Sequence, residues 1–237
     1  MRYTIIEKLS HTLDKKTARD ELPCDEFLFK GMMLLNNEER APQGRGPRLR
    51  ESIFFLKRFL GAPRQVGSVT PSSRFLTRAM LDRVDWERAD CVAELGAGTG
   101  VFTREIVKRA RPETKILVFE VDPALREVIR QENPDHPGLR LHGDAQELCA
   151  IMEDEGIEAL DFVISSLPFT VLPHDMTENI LNAVQDALSP KGRFVAYQYS
   201  QIMRSKLVSR FPDIQRKYVL LNVPPAFVYD CGGDCRA

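Results

Sequence analysis

The spacing of apolar positions changes near residue 48 and divides the chain into three zones. Residues 1–39 are polar apart from the clusters Leu28-Phe29 and Met32-Met33-Leu34-Leu35, and they predict short helices. Two prolines and two glycines in 41–47 interrupt the pattern and predict a loop or linker. From Arg48 onward the pattern is regular. Leu49, Ile53, Leu56 and Leu60 recur at helical spacing, Phe55 and Phe59 widen that side, and Arg50, Lys57 and Arg58 lie opposite with Phe54 as the one apolar exception. Residues 50–60 therefore predict an amphipathic helix. Thr70 as N-cap with Pro71 at the first helical position predicts a second helix running on through 74–84.

Short apolar runs then alternate with amphipathic stretches. Strands are predicted over 91–95, 115–120, 139–142, 162–165 and 193–199, and helices over 102–110, 123–131 and 178–188. Two further strands, 218–222 and 226–229, flank Pro224-Pro225. Strands that alternate with helices predict an α/β fold with a mostly parallel, doubly wound sheet. The boundary at 45/46 gives an N-terminal helical extension, 1–45, and one α/β domain, 46–237.

Composition adds little to that picture. The 237 residues are 43% hydrophobic and 28% charged, as in ordinary globular proteins. The net charge of −1 supplies no global field for nucleic acid or anionic lipid, so a polyanion would need a local patch. One such patch is 40–64, with seven Lys/Arg against the single acid Glu51. A basic helix rich in Phe and Leu suits a membrane surface, and equally a helix packed on a sheet. The five cysteines, Cys24, Cys91, Cys149, Cys231 and Cys235, suit a reducing compartment. Cys231 and Cys235 offer too few ligands for a metal site and read as thiols on a mobile C-terminus. With no apolar run for a signal peptide or a bilayer span, the expected location is cytoplasmic.

The candidate chemistry lies in 90–145. Val92-Ala-Glu94-Leu95-Gly96-Ala97-Gly98-Thr99-Gly100 delivers an apolar strand to a turn where glycines let the backbone approach a ligand. The G-x-G-x-G spacing after Glu94 differs from the dinucleotide pattern G-x-G-x-x-G and resembles the first motif of class I methyltransferases. Glu120, at the end of the second strand, can accept both ribose hydroxyls of a nucleoside cofactor. Asp144, after the third strand, suits a bond from an adenine amino group, with Ala145 offering a backbone N–H. Either acid alone reads as a solvated loop residue; in order, one per βα unit, they read as an S-adenosylmethionine site. Methyl transfer from that cofactor requires no metal.

After the fourth strand comes Ser165-Ser166-Leu167-Pro168-Phe169, where amino-group methyltransferases carry N/D/S-x-P-aromatic sequences. An amine needs a polar acceptor to orient its lone pair and an aromatic face beside the developing cation. Phe169 fits the aromatic role, and Ser166, Ser165 or a nearby carbonyl fits the acceptor role. The plainer alternative is a tight turn whose Pro168 and Phe169 merely pack. Tyr197, Tyr199, His142 and His174 are general-base candidates by residue type alone.

Val66-Gly-Ser-Val-Thr-Pro-Ser-Ser73, the glycine loop, Ser165-Ser-Leu-Pro168, Tyr197-Gln-Tyr199 and Asn222-Val-Pro-Pro-Ala-Phe-Val-Tyr229 together resemble bacterial phospholipid N-methyltransferases. The resemblance covers roughly 50–230. It implies a class I methyltransferase (Rossmann-like) fold, with a mostly parallel seven-stranded sheet. It implies stepwise methylation of an aminophospholipid headgroup such as phosphatidylethanolamine, at the inner membrane surface, with 50–60 as the membrane contact. It also implies that Glu94, Gly96, Gly98, Glu120 and Asp144 hold S-adenosylmethionine, with Ser72 and Ser73 near its amino-acid end. Ser166 departs from the family's usual glycine, and 1–45 has no counterpart, so a different aminolipid or a soluble amine is an alternative acceptor. An rRNA adenine dimethylase shares the fold, but it carries Asn where Ser166 stands and appends a helical RNA domain after the sheet. The near-zero charge counts further against RNA. A cofactor-binding protein without catalysis ranks last.

Overall fold

The computed structural model describes residues 73–133 and 135–232. The predicted extension, the 50–60 helix, Ser72, Cys24 and Cys235 lie outside the described residues.

The first described helix, α1, is Arg74–Leu81. Its cap is Ser73 and not Thr70: Ser73 holds extended backbone, and its Oγ accepts the N–H of Leu76 at 3.2 Å, which meets an otherwise orphaned donor of the first turn. The alternating units follow as β1 (Cys91–Leu95), α2 (Val101–Arg109), β2 (Lys115–Phe119), α3 (Pro123–Glu132), β3 (Leu139–His142), α4 (Leu148–Asp154), β4 (Leu160–Ser165), α5 (His174–Ala187), β5 (Leu188–Gln198), α6 (Arg204–Val208), β6 (Asp213–Val219) and β7 (Ala226–Gly232).

The sheet has seven strands in the order β3-β2-β1-β4-β5-β7-β6. The first five are parallel, and β7 runs antiparallel between β5 and β6. Because side chains alternate along a strand, each central strand feeds two cores. Ala93, Leu95, Leu117, Phe119, Val163 and Phe194 face α4 and α5. Val92, Ile116, Val118, Ile164 and Val195 face α1, α2 and α3. Burial on both faces explains the near-continuous apolar runs of these strands. The order reverses between β1 and β4, which opens a crevice beyond Leu95 and Ser165.

Four departures from the expected elements have local causes. Helix α5 starts at His174, directly after Pro173, ahead of its first buried apolar residue, Ile180. Strand β5 starts at Leu188, across a pairing irregularity that hides Pro190 and Gly192 inside the strand. Strand β6 lies ahead of the predicted 218–222: it is a sheet edge with most side chains exposed, so it carries no alternation to read. Cys231 is not on a loose tail. It is fully buried in β7 between Phe194 and Ile214, and burial pushes its thiol pKa far up, which leaves it inert.

Candidate cofactor and acceptor site

The loop from Gly96 to Gly100 leaves β1 with three left-handed glycines, Gly96 (φ 78°), Gly98 (57°) and Gly100 (77°). Gly96 and Ala97 donate their N–H groups to Phe119 O at 2.8 and 3.1 Å, which pins the loop across the end of β2. A Cβ on Gly96 would meet Leu167 Cδ2 at 2.8 Å, whereas one on Gly98 would meet nothing within 4 Å. Gly98 thus borders open space at the strand ends, as a cofactor cradle requires.

Glu120 accepts from Gly98 N at 2.7 Å and from Asp122 N at 2.9 Å, and it is almost fully buried. Burial pushes its pKa up, against those two bonds. Two carboxylate oxygens offer about four acceptor sites, so capacity remains for a ligand. Asp144 opens a single 3-10 turn, Ala145–Glu147, and its oxygens accept from Gln146 N at 2.9 Å and Gln146 Nε2 at 3.1 Å. Ala145, the first residue of that turn, is buried.

Glu94 is 0% exposed. Its Oε2 accepts from Thr103 Oγ1 at 2.6 Å, and its Oε1 has no partner among the described residues. An unpaired buried carboxylate oxygen is costly, and it favours a donor brought by a ligand. Burial pushes the Glu94 pKa up to about 7, the Thr103 bond opposing and Glu120 adding to the shift.

On the acceptor side, Ser166 N donates to Leu95 O at 2.9 Å, joining the 165–169 turn to the glycine loop. Ser165 Oγ is already engaged, accepting from Leu167 N at 3.2 Å within the turn. Ser166 Oγ is buried and has no partner among the described residues. Phe169 is 4% exposed and meets Phe194 edge-on at 6.4 Å, inside the core. Of the three acceptor-side candidates, Ser166 alone brings an unengaged buried hydroxyl. Of the base candidates, His174 is exposed beside Asp175 and Glu178, and His142 packs on Phe119 at 5.3 Å with its pKa lowered by burial.

A family profile described as a methyltransferase domain matches residues 92–192. The ornithine lipid N-methyltransferase of Singulisphaera acidiphila is 31% identical over 187 residues, covering 78% of this chain and 97% of that protein. A ribosomal RNA small subunit methyltransferase A from Thermotoga neapolitana is 22% identical over 52% of this chain and 44% of that protein. The N-methyltransferase NodS of Bradyrhizobium japonicum WM9, solved with S-adenosyl-L-homocysteine, superposes with a TM-score of 0.57 at 12% identity, covering 76% of this chain and 97% of that one. This chain is a class I S-adenosylmethionine-dependent methyltransferase. It belongs to one family with the Singulisphaera enzyme.

Two residues of this methyltransferase stand within segments that carry the family resemblance, Tyr197-Gln-Tyr199 and Asn222-Val-Pro-Pro, but the sequence assigns neither of them a role. Gln198 Nε2 donates to Leu167 O at 2.8 Å and fixes the acceptor turn from β5. Asn222, 4% exposed, accepts from Ser73 N at 3.0 Å and donates to Pro224 O at 2.7 Å. The Tyr199 hydroxyl bonds to Tyr197 and Asn222, and the Tyr197 ring lies 6.1 Å from Phe102 at the start of α2. Ser73 is therefore tied by a polar relay to the sheet's strand ends.

Two outcomes follow from this geometry. Gly96→Ala forces an L-residue into a left-handed conformation and pushes Leu167, so stability drops by about 1–2 kcal/mol and methyl transfer falls further than that loss explains. Gly156→Ala, with φ 61° and no neighbour within 4 Å, is the control for the backbone cost alone. Urea unfolding and turnover of both variants check it. The second outcome concerns Glu94, whose folded pKa lies above its unfolded value. Its stabilising contribution is complete below the usual carboxylate range and is lost as pH rises through about 7. Relative to Glu94→Gln, the wild type loses about 3 kcal/mol between about pH 5 and pH 8. Parallel stability profiles for the two proteins would refute this.

Proposed function

We propose that this methyltransferase methylates the amine of a lipid headgroup, with an ornithine lipid as first acceptor and phosphatidylethanolamine as second. The observation that carries the reading is the end-to-end kinship with the Singulisphaera enzyme, 97% of whose length is matched. That kinship moves the ornithine headgroup ahead of the phosphatidylethanolamine expected from sequence. The ribosomal relatives are matched over less than half of their own length.

The residues present fit the cofactor. Bound S-adenosylmethionine supplies an electrophilic methyl on a positively charged sulfur. Glu120 accepts from the ribose hydroxyls, Asp144 and the Ala145 N–H read the adenine, and Gly96 and Gly98 let the backbone come close. Glu94 Oε1 would meet a donor from the amino-acid end, the end to which the family resemblance assigns Ser73. Ser166 Oγ accepts an N–H of the incoming amine and turns its lone pair toward the methyl, while Ser165 and Gln198 hold the turn that carries Ser166. The chain's task is alignment, for which a well-oriented pair gains several kcal/mol. No helix among the described residues is long and apolar enough to cross a membrane.

The test is incubation of the full chain with labelled S-adenosylmethionine and detergent-dispersed ornithine lipid, phosphatidylethanolamine, total RNA or a soluble-amine extract. Label in ornithine lipid supports the reading. Label in phosphatidylethanolamine alone restores the sequence expectation, and label only in RNA or soluble amines overturns the lipid assignment.

A further inference from the structure

Residues 220–225 join β6 to β7. They sit beside the carboxyl end of β5, since Val219 pairs with Ala226 and Gln198 pairs with Phe227. That is the ligand side of the sheet, and Gln198 is the residue that holds the acceptor turn. The loop is built inside out. Its one polar side chain, Asn222, is turned inward and bonded to Ser73 and Pro224. Its apolar side chains point to solvent: Leu220 is 68% exposed, Leu221 64% and Val223 74%. Tyr218 at the end of β6, with Tyr199 and Ile202 just beyond β5, adds further exposed apolar surface.

Single exposed apolar residues are ordinary, but a concentration of them at one end of a sheet marks an interaction surface. Water does not favour this arrangement, and the Asn222 anchor keeps the loop from turning its leucines in. The charge around it selects the occupant. Residues 200–229 contain five Lys/Arg against the single acid Asp213, and Arg204, Arg216 and Lys217 are exposed. Apolar side chains at a tip with cations behind them match a bilayer bearing anionic lipid, where tails receive the one and headgroups the other.

We propose that the 220–223 loop is a membrane-inserting tip, which seats the strand ends of the sheet on an anionic bilayer. This rests on the lipid reading of the acceptor for its purpose, but Leu220, Leu221 and Val223 are not among the residues assigned to the cofactor or the amine. Seated this way, the mouth beside the 165–169 turn faces the headgroup layer, and an aminolipid reaches it without leaving the membrane.

The test uses the full chain and vesicles of phosphatidylcholine with phosphatidylglycerol, which contain no acceptor amine, so binding is read apart from turnover. Wild-type protein should sediment with these vesicles. The combined variant Leu220→Ser, Leu221→Ser, Val223→Ser should partition more weakly by on the order of 100-fold. It should still methylate detergent-dispersed lipid at the wild-type rate, which shows that it folds. In a second variant, Leu221→Trp, emission should shift to the blue when vesicles are added. Undiminished sedimentation of the serine variant, or unshifted tryptophan emission, overturns the proposal. So does a loop that changes only self-association in solution. Failure of the lipid assignment would show instead as absent label in any lipid, with vesicle binding unaffected.

Discussion

Glu120→Ala should lose affinity for S-adenosylhomocysteine by on the order of 100-fold, the equivalent of two charge-assisted hydrogen bonds. The fold should change far less. The Glu120 carboxylate is buried and its pKa is pushed up, so the alanine relieves a desolvation penalty while it releases the N–H groups of Gly98 and Asp122. Affinity and stability therefore separate, and titration calorimetry beside thermal unfolding reads both. Asp144→Ala should cost about tenfold, the equivalent of one bond; its oxygens already serve Gln146, so the turn there loosens as well. Glu120→Gln keeps one acceptor oxygen and loses the charge, so it should fall between alanine and wild type. Wild-type affinity in both acid variants would remove Glu120 and Asp144 from the cofactor site. The Gly96–Gly100 loop would then be left without the partners proposed for it.

The geometry of the candidate cofactor site, its glycine loop and the strand end before Glu120, was legible because it demands particular residue types at fixed places. Positive φ at Gly96, Gly98 and Gly100 requires glycine, and a strand end at Phe119 places the next residue, Glu120, at the crevice. Buried parallel strands also announce themselves, since β2 is apolar from Ile116 to Phe119 and the runs of β1 and β4 are broken only by Glu94, Asp161 and Ser165. What stayed hidden depends on tertiary context. Strand β6 borders solvent, so Leu220 and Leu221 drew the predicted strand toward what is an exposed loop. The helix α4 was missed because only Leu148 and Met152 of its short span are buried. Asn222 and Gln198 act on backbone atoms remote in sequence, Ser73 N and Leu167 O, and no local pattern encodes such a bond. Ser165 and Ser166 are identical in sequence, and the turn alone tells them apart: one hydroxyl holds Leu167 N, and the other is left without a partner.

Phe169→Ala should destabilise the protein by about 3–5 kcal/mol, the cost of removing a large aromatic from a packed core. Sequence reasoning offered this ring as an aromatic face for the amine, with plain packing as the alternative. The structure buries it in the cluster that holds Phe194, Leu167 and Ile180, and its carbonyl accepts from Thr177 Oγ1 at 3.4 Å. The alanine variant cannot by itself distinguish packing from contact with the amine, because a cavity beneath the 165–169 turn would displace Ser166 too. Phe169→Leu can. Leucine fills most of the volume and lacks a π face, so it should recover the greater part of the stability in urea unfolding. If Phe169 acts through packing, turnover recovers with it, and KM for the lipid amine stays near wild type. If the ring steadies the developing cation, stability returns while kcat remains depressed, since a cation–π contact of about 1–2 kcal/mol has no aliphatic substitute. The edge-on contact with Phe194 and the 4% exposure favour the first outcome. That would leave Ser166 Oγ as the one side chain of this turn that meets the amine.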